Sequence, residues 1–211
     1  MPPIMRMQRQ RGFSIIEIVV TLAVLGMILM AAGPSIGTWM DNTRIRNTAQ
    51  ALQEGLQMAR AEAVRRNQAM SFYLVSLTNP GAMDNSCALS STSGSWVVAA
   101  SSPALRCATA PSNVGALQIT ATRTLNDAGG RVAVSGLQAD GATAANTVTF
   151  NGFGRVTNTT PIAQIQVTGT DPNATYRNLW VEITSAGAVR MCDPKITDGN
   201  DPRKCTSNPT P

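Results

Sequence analysis

Hydrophobic and polar positions change period twice along the chain, and each change marks a different element. From Ile18 to Ile36 the sequence IVVTLAVLGMILMAAGPSI runs nineteen residues without a charge. As a helix it would cover roughly 28 Å of hydrocarbon, which predicts a membrane span. Beyond Pro34, the residues Ile45, Ala49, Leu52, Leu56, Ala59 and Ala63 recur at helical spacing, while Arg44, Arg46, Glu54, Arg60, Glu62, Arg65 and Arg66 take the other faces. An amphipathic helix is expected from about Thr38 to Arg66, its alanines suited to close packing on a sheet; a coiled-coil dimer is the competing use of this stripe.

After Asn67 the period becomes two. Strands are expected at Met70–Leu77, Ser95–Ala100, Leu117–Arg123, Arg131–Ser135, Thr147–Phe150, Ile162–Thr168, Leu179–Thr184 and Val189–Cys192. Residues Thr78 to Asn113, rich in Ser, Asn, Pro and Gly, read as a long loop or insertion. The fold class is therefore α+β: a long N-terminal helix, half membrane-spanning and half amphipathic, packed against an antiparallel β-sheet.

Composition sharpens this picture. Of 17 basic residues, Arg6, Arg9 and Arg11 precede position 12 with no acid among them, so the +5 charge is concentrated at the N-terminus and the remainder is nearly balanced. A general nucleic-acid footprint is weak. By the positive-inside rule the N-terminal arginines stay cytoplasmic and the C-terminal domain is exported. An ordinary secretory signal has the same basic-then-apolar outline, but its small-residue exit would be Ala31-Ala32-Gly33 with Pro34 next, and cutting there would divide a continuous helical pattern.

The chain has no histidine, which removes the commonest general base and metal ligand. No catalytic set, Gly-rich phosphate loop or cofactor motif is found, so the expectation is a non-enzyme without cofactor. Four cysteines, Cys87, Cys107, Cys192 and Cys205, lie downstream of the apolar run, as in an exported domain. Zinc is disfavoured because no Cys-x-x-Cys occurs and no metal site is expected. Of the three pairings open to four cysteines, Cys87 with Cys107 and Cys192 with Cys205 are favoured, since each pair joins the ends of a loop rich in turn formers. Asp193, Asp198 and Asp201 in the second loop fit no calcium-binding spacing and read as turn chemistry.

Glu17, alone at the mouth of an uncharged run, is the unusual residue, because an acid at that depth is costly unless it is paired. The phrase Arg11-Gly12-Phe13-Ser14-Ile15-Ile16-Glu17 closely resembles the processing motif of type IV pilins and pseudopilins. The resemblance implies cleavage by a prepilin peptidase between Gly12 and Phe13, N-methylation of Phe13, and a Glu17 that offsets the new ammonium of a neighbouring subunit during assembly. Pro34 also matches that family, where a proline kinks the long helix. Implied segments are a leader at 1–12, a membrane and filament-core helix at 13–36, an amphipathic helix at 37–67 and a β-rich globular domain at 68–211.

Three later phrases narrow the likeness. Ala59-Arg60-Ala61-Glu62-Ala63-Val64-Arg65-Arg66-Asn67, Val148-Thr149-Phe150-Asn151-Gly152-Phe153-Gly154-Arg155-Val156 and Ile183-Thr184-Ser185-Ala186-Gly187-Ala188-Val189-Arg190-Met191-Cys192-Asp193-Pro194 are similar to the GspH/FimT/FimU group. The group implies a minor pilin or pseudopilin that helps prime or cap a type IV pilus, with a type II secretion pseudopilin as the alternative. Implied partners are other pilins, the inner-membrane assembly platform and the prepilin peptidase. The implied location is a single-pass inner-membrane protein with a periplasmic domain, later part of a cell-surface filament. Some FimT proteins bind DNA through a Gly-Arg-x-Arg phrase; here Gly187-Ala188-Val189-Arg190 keeps only the last arginine. Arg190, Lys195, Arg203 and Lys204 remain a candidate DNA contact, set against a solvated basic rim balanced by the three aspartates.

Overall fold

The computed structural model describes residues 12–125 and 130–206; the side chains of residues 31–36 are not included. Arg6, Arg9 and Arg11, in the expected leader, therefore lie outside the described residues. Helix α1 spans Ile15–Arg66, and the chain divides into two compact units, Met1–Trp39 and Met40–Pro211.

In the first unit, the Ser14 carbonyl accepts the opening helical bonds from the amides of Glu17 and Ile18. Glu17 is the acid of the first turn, where it faces the positive end of the helix dipole. The apolar side chains from Ile15 to Met30 are exposed, Ile15 and Met30 each at 83%. Among the described residues no helix is long and apolar enough to cross a membrane. Positions 31–36, the end of the expected span, and the expected kink at Pro34 fall where side chains are not described.

The second unit buries the predicted stripe: Ile45, Ala49, Leu52, Leu56, Ala59 and Ala63 are all fully inaccessible. Gly55 lets the helix approach its sheet, since a Cβ there would lie 2.7 Å from the Trp96 ring and 2.8 Å from Phe72. Asn67, just past the helix, adopts φ 49°, a left-handed conformation that asparagine tolerates and that breaks the helical ladder.

Nine strands follow among the described residues: β1 Met70–Ser76, β2 Ala88–Leu89, β3 Ser95–Ala99, β4 Ala121–Arg123, β5 Val132–Leu137, β6 Thr147–Phe150, β7 Gln164–Gly169, β8 Leu179–Ile183 and β9 Val189–Cys192. They form two antiparallel sheets, so the expected antiparallel β layer of the α+β fold is built as a pair. In the first, β1 is central, with β3 and then β4 on one side and both β2 and β6 on the other. The second has the order β5-β7-β8-β9. Inner faces of both sheets share one core with α1, including Phe72, Leu74, Val148, Phe150, Ile165, Val167, Val181 and Ile183.

Each sheet also has a covered outer face. Tyr73, Val75, Val97 and Ala99, on the far side of β1 and β3, form a second cluster with Cys87, Cys107 and Ile119 from the loop region. The segment read as a long loop or insertion holds β3 itself, and its parts on either side of β3 form a lid that, with Ile119, covers the second face of β1 and β3, which is why neither strand shows alternating burial. It contains the two-residue β2, too short to leave a pattern. The strand expected from Leu117 begins only at Ala121, because Gln118 adopts φ 44° and interrupts the extended run.

Candidate assembly and contact surfaces

On the second sheet the outward residues of β7, β8 and β9 stand in register. Gln164 pairs with Glu182, and Glu182 with Arg190; Gln166 pairs with Trp180, and Trp180 with Cys192. Sheet alternation puts this polar row opposite the core. The C-terminal segment, closed by the Cys192–Cys205 disulfide, folds over the row. Glu182 is fully buried and Gln164 4% exposed as a result.

A buried carboxylate is tolerated only if its charge is met. Oε2 of Glu182 accepts from Arg190 at 3.0 Å and 2.7 Å, and from the Thr206 hydroxyl at 3.0 Å. Oε1 of Glu182 and Nε2 of Gln164, neighbours across the strands, have no partner. Carboxylate and cysteine sulfurs lie within 4.8 Å of one another, but both sulfurs are spent on the disulfide, so the trio cannot act as a metal-binding set.

The other candidate cations are also engaged. Lys195 Nζ donates to the Tyr176 carbonyl at 2.7 Å, and Lys204 Nζ to the Thr197 carbonyl at 3.1 Å. Arg203 pairs with Asp201 at 2.8 Å, which holds the Asp201 carboxyl down at about 2, chiefly through the arginine's hydrogen bond. Asp193 accepts from the Lys195 amide and pairs with Arg177 at 3.1 Å; Asp198 accepts from the Asn200 amide. Arg203, Lys204, Asp198 and Asp201 thus serve the loop's own turns, Lys195 and Asp193 tie the loop to Tyr176 and Arg177, and Arg190 is taken by Glu182.

The three phrases that carried the resemblance meet at one point. Arg60 Nε, from the first, donates at 3.2 Å to the carbonyl of Gly154, in the second. Gly187, in the third, has φ 81°, and a Cβ there would run into that same Gly154 carbonyl oxygen. The Val156 amide then donates to the Ser185 carbonyl at 3.0 Å. Two glycine turns and one helix arginine therefore form a backbone-to-backbone joint that no larger residue could close.

Residues 48–187 match the sequence profile of the family described as "Type II transport protein GspH". The chain belongs to the GspH family. Residues 7–33 match the prokaryotic N-terminal methylation motif. Two crystal structures of the type IV minor pilin FimU of Pseudomonas aeruginosa strain PAO1 are similar. The form in space group P65 has a TM-score of 0.40 at 16% identity, covering 71% of this chain and 97% of that one. The form in space group P21 has 0.42 at 14%, covering 74% and 97%. Among curated proteins none matches the chain significantly.

GspH-family membership makes the chain a pilin-type structural subunit, a minor pilin or pseudopilin of type IV pili or type II secretion. The matched region holds the Arg60–Gly154–Gly187 joint and stops at Gly187, so the C-terminal disulfide loop lies beyond it. Sequence reading missed Glu182 as the partner of Arg190. The signal was present: an acid and an arginine flank the Ser185-Ala186-Gly187-Ala188 turn at outward positions, where a hairpin places them side by side. It also missed Asp41, which is 6% exposed and ion-paired with Arg44 at 3.2 Å and Arg131 at 3.7 Å.

Proposed function

We propose that the chain is a minor subunit of a type IV pilus, made as a precursor, cut between Gly12 and Phe13 by a prepilin peptidase and methylated at Phe13. In this reading residues 13–36 anchor it once through the inner membrane, the globular domain stands in the periplasm, and sister pilins and the assembly platform draw it into a priming or tip complex. The observation that carries the reading is the match of residues 7–33 to the methylation motif, with Gly12, Phe13 and Glu17 in the motif's order. Glu17 supplies the physical logic, since its cost beside an apolar run falls when a neighbour's Phe13 ammonium offsets it. Mass spectrometry of the full chain purified from membranes tests this: the expected N-terminus is methyl-Phe13, and a chain that begins at Met1 overturns it. Glu17→Ala should be processed yet enter filaments poorly.

The second reading, a pseudopilin of a type II secretion system, is supported by the family's description as a type II transport protein. Affinity purification from membranes separates the two through the subunits that accompany the chain. Recovery of secretion pseudopilins alone favours the second. DNA capture at the pilus tip is the weaker alternative, because Arg190, Lys195, Arg203 and Lys204 each have a partner within the chain.

A further inference from the structure

The second unit carries a sorted set of charges where it begins. Asp41, in its first helical turn, pairs with Arg44 at 3.2 Å and with Arg131 at 3.7 Å, and accepts from the Tyr176 hydroxyl at 3.4 Å. The Arg177 amide donates to Asn42 at 2.8 Å, while its guanidinium pairs with Asp193 at 3.1 Å. Lys195 donates to the Tyr176 carbonyl. The start of the unit's helix, the residue before β5, the β7–β8 connection and the C-terminal loop therefore meet at one end of the domain.

Burial separates the signs. The side chains of Asp41 and Asp193 are each 9% exposed, whereas those of Arg44, Arg131 and Arg177 remain 43%, 52% and 60% exposed. Arg46 is exposed as well, one helical turn beyond Asn42, and its side chain has no partner among the described residues. Asp171, in the β7–β8 connection, is an exposed acid of this end. Arginines thus dominate what solvent meets. The named contacts use one nitrogen of each guanidinium, Nη1 of Arg44, Nη1 of Arg131 and Nε of Arg177, so further donors remain for an outside acceptor. Planar guanidinium forks match phosphate oxygens.

Position in the chain says which phosphates these are. Asp41 follows the end of the uncharged run, position 36, by five residues. Five residues reach about 18 Å at most, and rise about 8 Å as helix. The attraction of an anionic bilayer for basic groups falls off within a Debye length, about 8 Å at physiological ionic strength, so cations are useful to it only this close to an anchor. Trp39, two residues before Asp41, is 68% exposed and is of the aromatic type that favours the membrane–water interface.

We propose that this end of the domain is a lipid-contact face, on which Arg44, Arg46, Arg131 and Arg177 hold phosphates of anionic phospholipids beside the chain's own span, a role which rests on the reading of residues 13–36 as a membrane anchor.

The test uses the full chain in nanodiscs, one set of phosphatidylcholine alone and one containing about a third phosphatidylglycerol. Co-elution with the discs reports anchoring, and amide hydrogen exchange reports contact. Residues 170–178 should exchange about threefold or more slowly in the anionic discs, with β1 and β3 unchanged, and about 0.5 M sodium chloride should cancel the difference. Arg46→Gln, which removes no described contact, should cut the slowing by about half, and Arg46→Gln with Arg177→Gln should abolish it. Thermal unfolding shows whether the double variant is intact; if it is not, Arg46→Gln decides alone. A chain that co-elutes with neither kind of disc overturns the anchor and the lipid face together. A chain held by both kinds with equal exchange overturns the lipid face only, as does slowing that persists unchanged in the folded variants. Equal slowing by a short DNA duplex in phosphatidylcholine discs also overturns it, because the face would then be a nucleic-acid surface.

Discussion

The Arg190 guanidinium reaches across the β8–β9 hairpin to within 2.7 Å of Glu182, a carboxylate with no exposure to solvent. The pair is asymmetric, since the arginine side chain remains 41% exposed. Removing the arginine leaves a buried charge with only the Thr206 hydroxyl for support. Arg190→Ala is therefore expected to destabilise the chain by about 3 kcal/mol, the low end for breaking a buried pair because water can reach the vacated place. Chemical denaturation measures it. Replacing both residues by apolar ones, as in Arg190→Met with Glu182→Leu, should recover most of the loss. Any loss of DNA binding in Arg190→Ala must accordingly be judged against its folding.

The Cys192–Cys205 bridge spans 13 residues of sequence and holds the loop that covers Glu182. Replacing both cysteines by serine should cost about 3 kcal/mol in the chain-entropy account. The loss should also be local. Amide hydrogen exchange is expected to quicken through residues 193–206 and along β9, while α1 and β1 keep their protection. Uniform loss of protection would mean that the loop is coupled to the whole core.

The sequence made the first-order plan readable because its signals were periodic. Ile45 to Ala63 repeat every three or four residues, and the structure buries all six stripe residues. Strands β6 and β9, bounded by turn formers, run over Thr147–Phe150 and Val189–Cys192 as read. What escaped was non-local. Burial of β1 on both faces depends on a loop that carries Cys87 and Cys107, and nothing in the strand's own residues announces which segment will cover it. The polar row Gln164, Glu182 and Arg190 is likewise visible only once register aligns three strands and the C-terminal loop seals them. Gln118 escaped for a local reason, since a positive φ at a glutamine has no sequence signature.

Acid should loosen the C-terminal loop before the core. Asp201 is shifted from its ordinary 3.8 to about 2, principally by the hydrogen bond from Arg203. A carboxyl with a depressed folded value binds its proton more readily when the loop is open. The Asp201–Arg203 contribution is thus complete above about pH 4 and lost as pH falls toward 2. Chemical shifts of Asp201 and of the Arg203 side chain, followed from pH 5 to pH 2, should titrate with a midpoint near 2. Asp201→Asn should abolish that transition, and a midpoint at the ordinary value would contradict the pairing.

Gly187 and Gly115 permit a controlled comparison of two costs that are usually mixed. Both have a left-handed backbone, φ 81° and φ 83°, so alanine at either meets the same conformational penalty, of about 1 kcal/mol. They differ in their surroundings. A Cβ at Gly115 would meet nothing within 4 Å, whereas one at Gly187 would strike the Gly154 carbonyl oxygen and crowd Arg60 at 3.3 Å. Gly115→Ala should therefore lower stability by about 1 kcal/mol, and Gly187→Ala by about 3 kcal/mol or more, since the two turns must part and the bond from Arg60 to Gly154 strains with them. Thermal unfolding of the two variants side by side measures the difference. Equal losses would show that the joint between the turns yields freely, and that the Arg60–Gly154–Gly187 contact contributes little to holding the helix end against the sheets.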